Sequence, residues 1–513
     1  MSGLKLDEHD LNEHRAVELD HSPGSNSMNG VAALDRLTHD SCLLTPLSSL
    51  TYICPGESHP ISRSVHLARL ASFYSKCRDC QHRSDGSRLA EERDGLHLAA
   101  RQRAPRSSLL MADGVRGIYL NELDRPRASG WSAAFASMLW DEQPRFGSAA
   151  MDTSGSESDR HALPETGRVD GRASFDAVAR PLPACSSIQR RGPMVVIGFD
   201  ERPSSPDIVT GVALGLRRMG CEVVDLGQTT SPCLHFAVGH LAAAGGMFVT
   251  GAGCDPAWTG FQFVGRGARP WSRGDLLEEL ESRVNAGVMR PTRTTGSQRT
   301  FPGLAPYEAG LGRFFHALRP LQVVCGSATR LVPRVLDSLF LRLPCRLTHE
   351  SLPVRRRDLS DPNDADVRRV AAAVVSGRQH LGLIIDDDGE RCAFVTDRGR
   401  LVSPGELARM LIDFELREHR DTQFVIADSL AAELGEWLSA RGVVCHTAVS
   451  SAARITAAMD EKRANLALSS DHRVWFRGDD SACDAIRTLA RVLQALSLSD
   501  TTMHDVVTRL SQS

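Results

Sequence analysis

Past residue 190 the chain settles into a repeating hydrophobic rhythm. MVVIGFD (194–200) is an apolar run of strand length, PDIVTGVALGLRRMG (206–220) carries its apolar residues at helical spacing and stops at a glycine, and CEVVDLG (221–227) is a second strand. HFAVGHLAAAGGMFVT then repeats helix and strand. The alternation returns at LQVVCGS, ATRLVPRVLDSLFLRLP, CRLTHES and HLGLIIDDDGER, and once more at TQFVIADS, LAAELGEWLSARG and VVCHTAVS. Three successive units of this kind predict an α/β protein of three α/β/α domains with mainly parallel mixed sheets. Ligands in such folds bind where strands give way to loops at their carboxyl ends. VTGAGCDPAWTGFQFVG (249–265), which follows AGGMF, and IDDDGER, which follows LGLI, both fall at such positions.

The first 190 residues are more polar. Residues 1–45 are rich in Asp, Ser, Asn and His without a sustained period, which predicts a disordered tail. Residues 148–190 turn to Ser, Asp, Gly and Arg, as an insertion would. Over 513 residues, 60 basic and 63 acidic side chains leave a net charge of −3, so no electrostatic argument favours nucleic acid or an anionic membrane as a partner. The acidic, polar N-terminal sequence lacks the pattern of a signal peptide and no stretch of about eighteen apolar residues exists, so a soluble, cytoplasmic protein is expected. Thirteen cysteines is an odd number, and Cys221, Cys325 and Cys345 lie in strand-like runs where buried free thiols are expected.

Residues 46–108 form a Cys/His-rich N-terminal module. Cys54, Cys77, Cys80 and His82, with His59 and His66 nearby, include a CxxC pair that offers two thiolates to one ion, and Cys54 with a histidine could complete a tetrahedral zinc site. The spacing matches no named finger, and a small helical packing segment with reduced thiols is the alternative.

The segment from VVIGFDERPSSP to TGFQFVG, with ADGVRGIYLNEL (112–123) before it and IDDDGERCAFVTDRGRLVSPGEL after it, resembles the α-D-phosphohexomutases, the superfamily of phosphomannomutase and phosphoglucomutase. The likeness runs over roughly residues 109–513. It implies domain I at 109–295 with the insertion at 148–190, domain II at 305–402 and domain III at 403–513. The sequence stops where the family would begin a fourth domain that clamps substrate phosphate, so the resemblance implies that this domain is absent.

In the family the first loop reads close to VTASHNPPEYNGFK, and its serine carries the phosphoryl group. Here Thr250, Pro256, Gly260 and Phe261 match, while Ala252 takes the serine position, Gly253 the histidine and Cys254 the asparagine. A phosphoryl carrier needs a nucleophilic heteroatom, which a methyl group lacks. The family's DGDxDR loop, which holds magnesium, corresponds to Asp386, Asp388, Glu390 and Arg391, with Glu390 one methylene longer than the aspartate it replaces. The sugar-reading loop GEMSGH corresponds to ALSSDH (467–472): Ser470 and His472 match, and Leu468 stands in place of the glutamate. Arg116 and Arg202 match arginines that line the family's first-domain site, and a structural ion-pair role is open to both; Phe199 stands where many members have another arginine.

Two further stretches carry no functional expectation. GRGARP (265–270) lacks the lysine and hydroxyl of a phosphate loop, and RLPCRLTHESLPVRRRDLSD reads as a solvated edge of domain II. Three functions are compatible with these residues. The chain could be a mutase-like protein with activity lost or weakened that binds hexose phosphates, with a sensing or regulatory role. It could instead be an active hexose-phosphate mutase whose carrier is Thr250 or Cys254, or a non-enzymatic scaffold with a zinc module.

Overall fold

The computed structural model describes residues 51–71, 74–77, 80–83, 85, 106, 108–142, 192–478 and 482–512. The tail at 1–45 and the insertion core at 148–190 lie outside the described residues. The N-terminal module contributes a two-stranded antiparallel pair, β1 (Thr51–Tyr52) and β2 (Ile61–Ser62), followed by α1 (Arg63–Ala71).

The first large sheet is built from β3 (Leu110–Met111), β4 (Gly114–Ile118), β5 (Met194–Phe199), β6 (Glu222–Gln228), β7 (Gly245–Val249), β8 (Trp258–Val264) and β9 (Gln298–Thr300), in spatial order β3-β4-β8-β7-β5-β6-β9. Helices α2 (Arg125–Asp141), α3 (Ser205–Arg218), α4 (Ser231–His240) and α5 (Leu277–Ala286) accompany it. Helix α3 shows why these segments are helical: Pro206 and Asp207 occupy its first turn, Arg217 and Arg218 its last, and Gly220 follows in a left-handed conformation (φ 84°). Phe135, Phe261, Phe263 and Trp271 form the aromatic centre of this unit's core.

After α6 (Leu304–Gly312) come β10 (Gln322–Ser327), α7 (Leu331–Phe340), β11 (Arg346–Ser351), α8 (Ala365–Ser376), β12 (Leu381–Ile385) and β13 (Cys392–Thr396), with strand order β11-β10-β12-β13. Helix α9 (Pro404–Glu418), opened by a capping box between Ser403 and Glu406, leads into β14 (Phe424–Ala427), α10 (Asp428–Ala440), β15 (Cys445–Ala448), α11 (Ala452–Lys462), β16 (Leu466–Leu468) and β17 (Val474–Phe476), in order β15-β14-β16-β17. Helices α12 (Ala485–Ser497) and α13 (Met503–Gln512) follow. The second and third sheets share one continuous hydrophobic core that runs through α9 and α12.

The protein is thus a multi-domain α/β fold, and the three larger sheets among the described residues repeat one device. In each, a parallel strand passes through a tight loop into an antiparallel neighbour: β7 into β8, β12 into β13, β16 into β17. The three motif loops of the sequence occupy these three equivalent connections.

Candidate functional site

The loop between β7 and β8 keeps a tightly ordered backbone. Gly251 N donates to Asp200 Oδ2 at 3.0 Å, Cys254 N to Gly251 O at 3.1 Å, and Gly253 sits in the left-handed region (φ 76°). At the position expected for a phosphoryl carrier the Ala252 methyl is buried, and the Ala252 amide donates to Thr250 Oγ1 at 2.9 Å. Thr250 is fully buried and its hydroxyl serves that turn; Cys254 is half-buried.

Three guanidinium groups converge on this loop. Arg202, just beyond β5, donates from Nη1 to Asp255 O at 2.7 Å and from Nη2 to Cys254 O at 2.9 Å. Arg116 on β4 donates to Val115 O and Phe261 O at 3.0 and 3.1 Å and reaches Ala252 O at 3.5 Å. Burial disfavours its charged form and pulls its pKa down. Gly260 makes room for it: a Cβ there would lie 1.9 Å from Val115 O and 2.9 Å from Arg116 Cδ. Arg391 closes the third side, its Nη2 only 2.7 Å from where a Gly253 Cβ would stand.

The acidic loop between β12 and β13 faces this cradle. Its Gly389 is left-handed (φ 83°), and neighbouring units clamp it: Ser231 N donates to Asp388 O at 2.9 Å and Ala485 N to Gly389 O at 3.1 Å. The carboxylates do not converge. Asp386 pairs with Arg357 Nη1 (3.1 Å) through one oxygen and with Arg391 through the other. Asp387 pairs with Arg357 (2.9 Å) and with Arg202 (2.9 Å). Glu390 accepts from Ser231 Oγ at 2.6 Å and pairs with Arg473 Nε at 3.1 Å. Asp388 accepts from Glu390 N at 3.1 Å and from Gln262 at 3.5 Å, and burial, with Glu390 and Asp386 beside it, pushes its carboxyl up to about 7.

Magnesium was expected at Asp386, Asp388 and Glu390. Among the described residues no group of three or more His, Cys, Asp or Glu is arranged to hold a metal ion. Octahedral magnesium needs free oxygens turned toward one point, and here Asp386 is committed to Arg357 and Arg391 and Glu390 to Ser231 and Arg473, so the residues as arranged do not fit it.

The zinc expectation at Cys54, Cys77, Cys80 and His82 fails on the same count. Cys54 Sγ accepts from Arg69 Nη1 at 2.9 Å, and burial, with Cys54 and Cys80 adding to it, pushes the Cys77 thiol up to about 12. The His82 ring stands edge-on to Tyr52, which itself stacks on His66.

In the third loop Ser470 donates to Ser429 Oγ at 2.7 Å, and His472, buried with φ 66°, meets Ser360 Oγ at 2.9 Å through Nε2. Its carbonyl accepts from Cys392 N at 3.0 Å, which ties this loop to the end of the acidic one. Burial, reinforced by Arg391 against the opposing pull of Asp471, holds the His472 imidazole down at about 4. Leu468 is part of the core under β16.

Asp387, Asp113 and Arg473 join the site although the motifs do not mark them: Arg473 bridges Asp113 (2.8 Å), Asp471 (3.0 Å) and Glu390, and Arg357, on the stretch that reads as a solvated edge, joins it too. The Arg357 side chain is 2% exposed and central. The position of RRR (355–357) in the loop that leaves the carboxyl end of β11 is the available signal.

Residues 176–289 match the family described as Phosphoglucomutase/phosphomannomutase, alpha/beta/alpha domain I, and this segment contains both the β7–β8 loop and Arg202. Over this segment the chain carries a domain of the phosphoglucomutase/phosphomannomutase type. It is similar to the phosphomannomutase/phosphoglucomutase of Pseudomonas aeruginosa, 27% identical over 228 residues that make up 43% of this chain and 48% of the relative. It is also similar to the phosphohexose mutases of Xanthomonas campestris pv. campestris, 28% identical over 253 residues, 48% of this chain and 56% of theirs. The chain thus spans about half the length of these relatives. Among solved structures, a phosphoglucomutase/phosphomannomutase family protein from Burkholderia thailandensis shares the fold with a TM-score of 0.62 at 21% identity, covering 78% of this chain and 79% of that one. No helix among the described residues is long and apolar enough to cross a membrane.

Proposed function

We propose that this phosphohexomutase-like protein binds a hexose phosphate without transferring its phosphoryl group, and acts as a sensing or regulatory relative of the mutases. Ala252 carries the reading. The residue at the tip of the β7–β8 loop has no atom that can form and break a phosphate ester, and the acidic loop opposite is not arranged to supply magnesium. Thr250 offers no replacement, because its hydroxyl is buried and engaged by the Ala252 amide.

Ligand binding is supported by Arg391, whose side chain is 24% exposed beside the loop that the buried Arg116 and Arg202 hold in place through its carbonyls. Two buried polar atoms beside it, Arg391 Nε and Gln262 Oε1, have no hydrogen-bond partner among the described residues, and a polar ligand satisfies such atoms. Calorimetry with glucose 1-phosphate, mannose 1-phosphate and glucose 1,6-bisphosphate tests the proposal. A saturable heat without product formation is expected; steady turnover, or no heat with any of the three, refutes it.

A further inference from the structure

The acidic loop of this chain is held from inside. We propose that the Arg357 guanidinium stands in for the divalent ion of the fold family, as a resident cation that keeps the β12–β13 loop in shape without metal. All three of its nitrogens are engaged. Nη1 donates to Asp386 Oδ1 (3.1 Å) and Asp387 Oδ1 (2.9 Å), Nε to Asp366 Oδ2 at the start of α8 (3.2 Å), and Nη2 to Pro353 O (2.7 Å). The side chain is 2% exposed, as are Asp386 and, at 3%, Asp387.

Repulsion among buried carboxylates is the problem that a metal loop leaves to its ion. Asp386, Asp387, Asp388 and Glu390 are all buried within five consecutive residues, and an uncompensated cluster of that kind is strongly unfavourable. A planar fork of donors fixed at both ends supplies compensation for Asp386 and Asp387, the two carboxylates it touches, while Arg473 pairs with Glu390. Arg355 braces it by pairing with Asp364 and with Asp366 (3.1 Å), so that the carboxylate gripping Arg357 from behind is itself oriented. Asp386 Oδ1 and Asp387 Oδ1 meet at the one nitrogen Nη1, while Asp366 and the Pro353 carbonyl take the other two, so four acceptors are held around the plane of one guanidinium.

This inference deepens the reading of the site but does not depend on Ala252, and its test involves no sugar and no turnover. Thermal unfolding of the full chain is followed with EDTA, with magnesium and with manganese, alongside manganese binding by electron paramagnetic resonance. The wild type is expected to give the same midpoint in all three and to leave the manganese signal free. Arg357→Gln is expected to lower the midpoint by about 5–10 °C in EDTA, and to regain part of that loss in magnesium or manganese with saturable manganese binding. Arg357→Lys, which keeps a point charge, is expected to remain indifferent to the metals and to fall between the two.

Stoichiometric manganese binding by the wild type would overturn the inference, and that measurement stands even if Arg357→Gln does not fold. A folded Arg357→Gln as stable as the wild type would overturn it as well, as would one that ignores both metals. Hexose-phosphate turnover by a wild type that binds no metal would refute the proposed function and leave this inference intact.

Discussion

Arg202 Nη2 lies 2.9 Å from Asp387 Oδ2, and both side chains are almost wholly buried. One residue extends from the first sheet and the other from the second, so this ion pair joins two units at the centre of the site. Removing Asp387 leaves the buried Arg202 with only its longer contact to Asp200 (3.5 Å) and takes one carboxylate from Arg357. Asp387→Ala should therefore destabilise the protein by about 3–5 kcal/mol. Urea unfolding measures this, and a loss under about 1 kcal/mol would place the pair with weak surface ion pairs.

Restoring the missing nucleophile alone should not restore catalysis. Ala252→Ser supplies a hydroxyl, but Asp386 stays paired with Arg357 and Arg391, and no metal assists phosphoryl transfer. A coupled assay with glucose 1-phosphate and glucose 1,6-bisphosphate should find no turnover. Readily measured activity would show that the acidic loop can still serve the reaction.

His472 sets a pH dependence of stability. Its imidazole is held at about 4 against an ordinary 6.5, with Ser360 bonded to it and Asp471, Arg391 and Asp358 as its charged neighbours. Between those values the unfolded chain binds a proton that the folded chain refuses, so stability falls as pH drops from 6.5 toward 4 and levels off below. The contribution is about 3 kcal/mol at most. Unfolding followed across this window should show a shallower slope for His472→Gln, and an unchanged slope would assign the pH dependence to other groups.

Gly260→Ala should disturb both the sheet and the cradle. The added methyl would press on Val115 O and Arg116 Cδ, separating β4 from β8. A loss of about 1–3 kcal/mol is expected, together with weaker hexose-phosphate binding by calorimetry. Unaltered stability would mean that β4 shifts aside at little cost.

Much of the scaffold was readable because parallel strands buried on both faces are near-continuous apolar runs: MVVIGF, QVVCGS, LGLII and FVIA all emerged as strands. Strand β9, QRT, lies exposed at a sheet edge and gives no such signal. The loop motifs were legible by spacing, since chemistry requires certain residue types at fixed offsets. Partnership between distant residues was not. Arg357 is the last of three consecutive arginines, a pattern that ordinarily marks a solvated face, and its pairing with Asp366 of α8 and Asp387 of the β12–β13 loop turns it inward. The zinc expectation fails in the opposite sense, because a CxxC pair specifies where thiols are in sequence and says nothing of the Arg69 guanidinium that bonds Cys54.

The repeated hairpin connection in the three sheets has a kinetic consequence. Ala252, Asp388 and Ser470 each sit on a loop whose own strands form from local contacts, yet the bonds that unite the loops, Arg202 to Asp387, Ser231 to Glu390 and Arg473 to Asp113, span 185, 159 and 360 residues of chain. Sheets rich in short-range pairing form early, whereas contacts of such separation wait for whole units to dock. Refolding should pass through a species with its strands in place and these arginines still in water, and the site comes into being only in the last step.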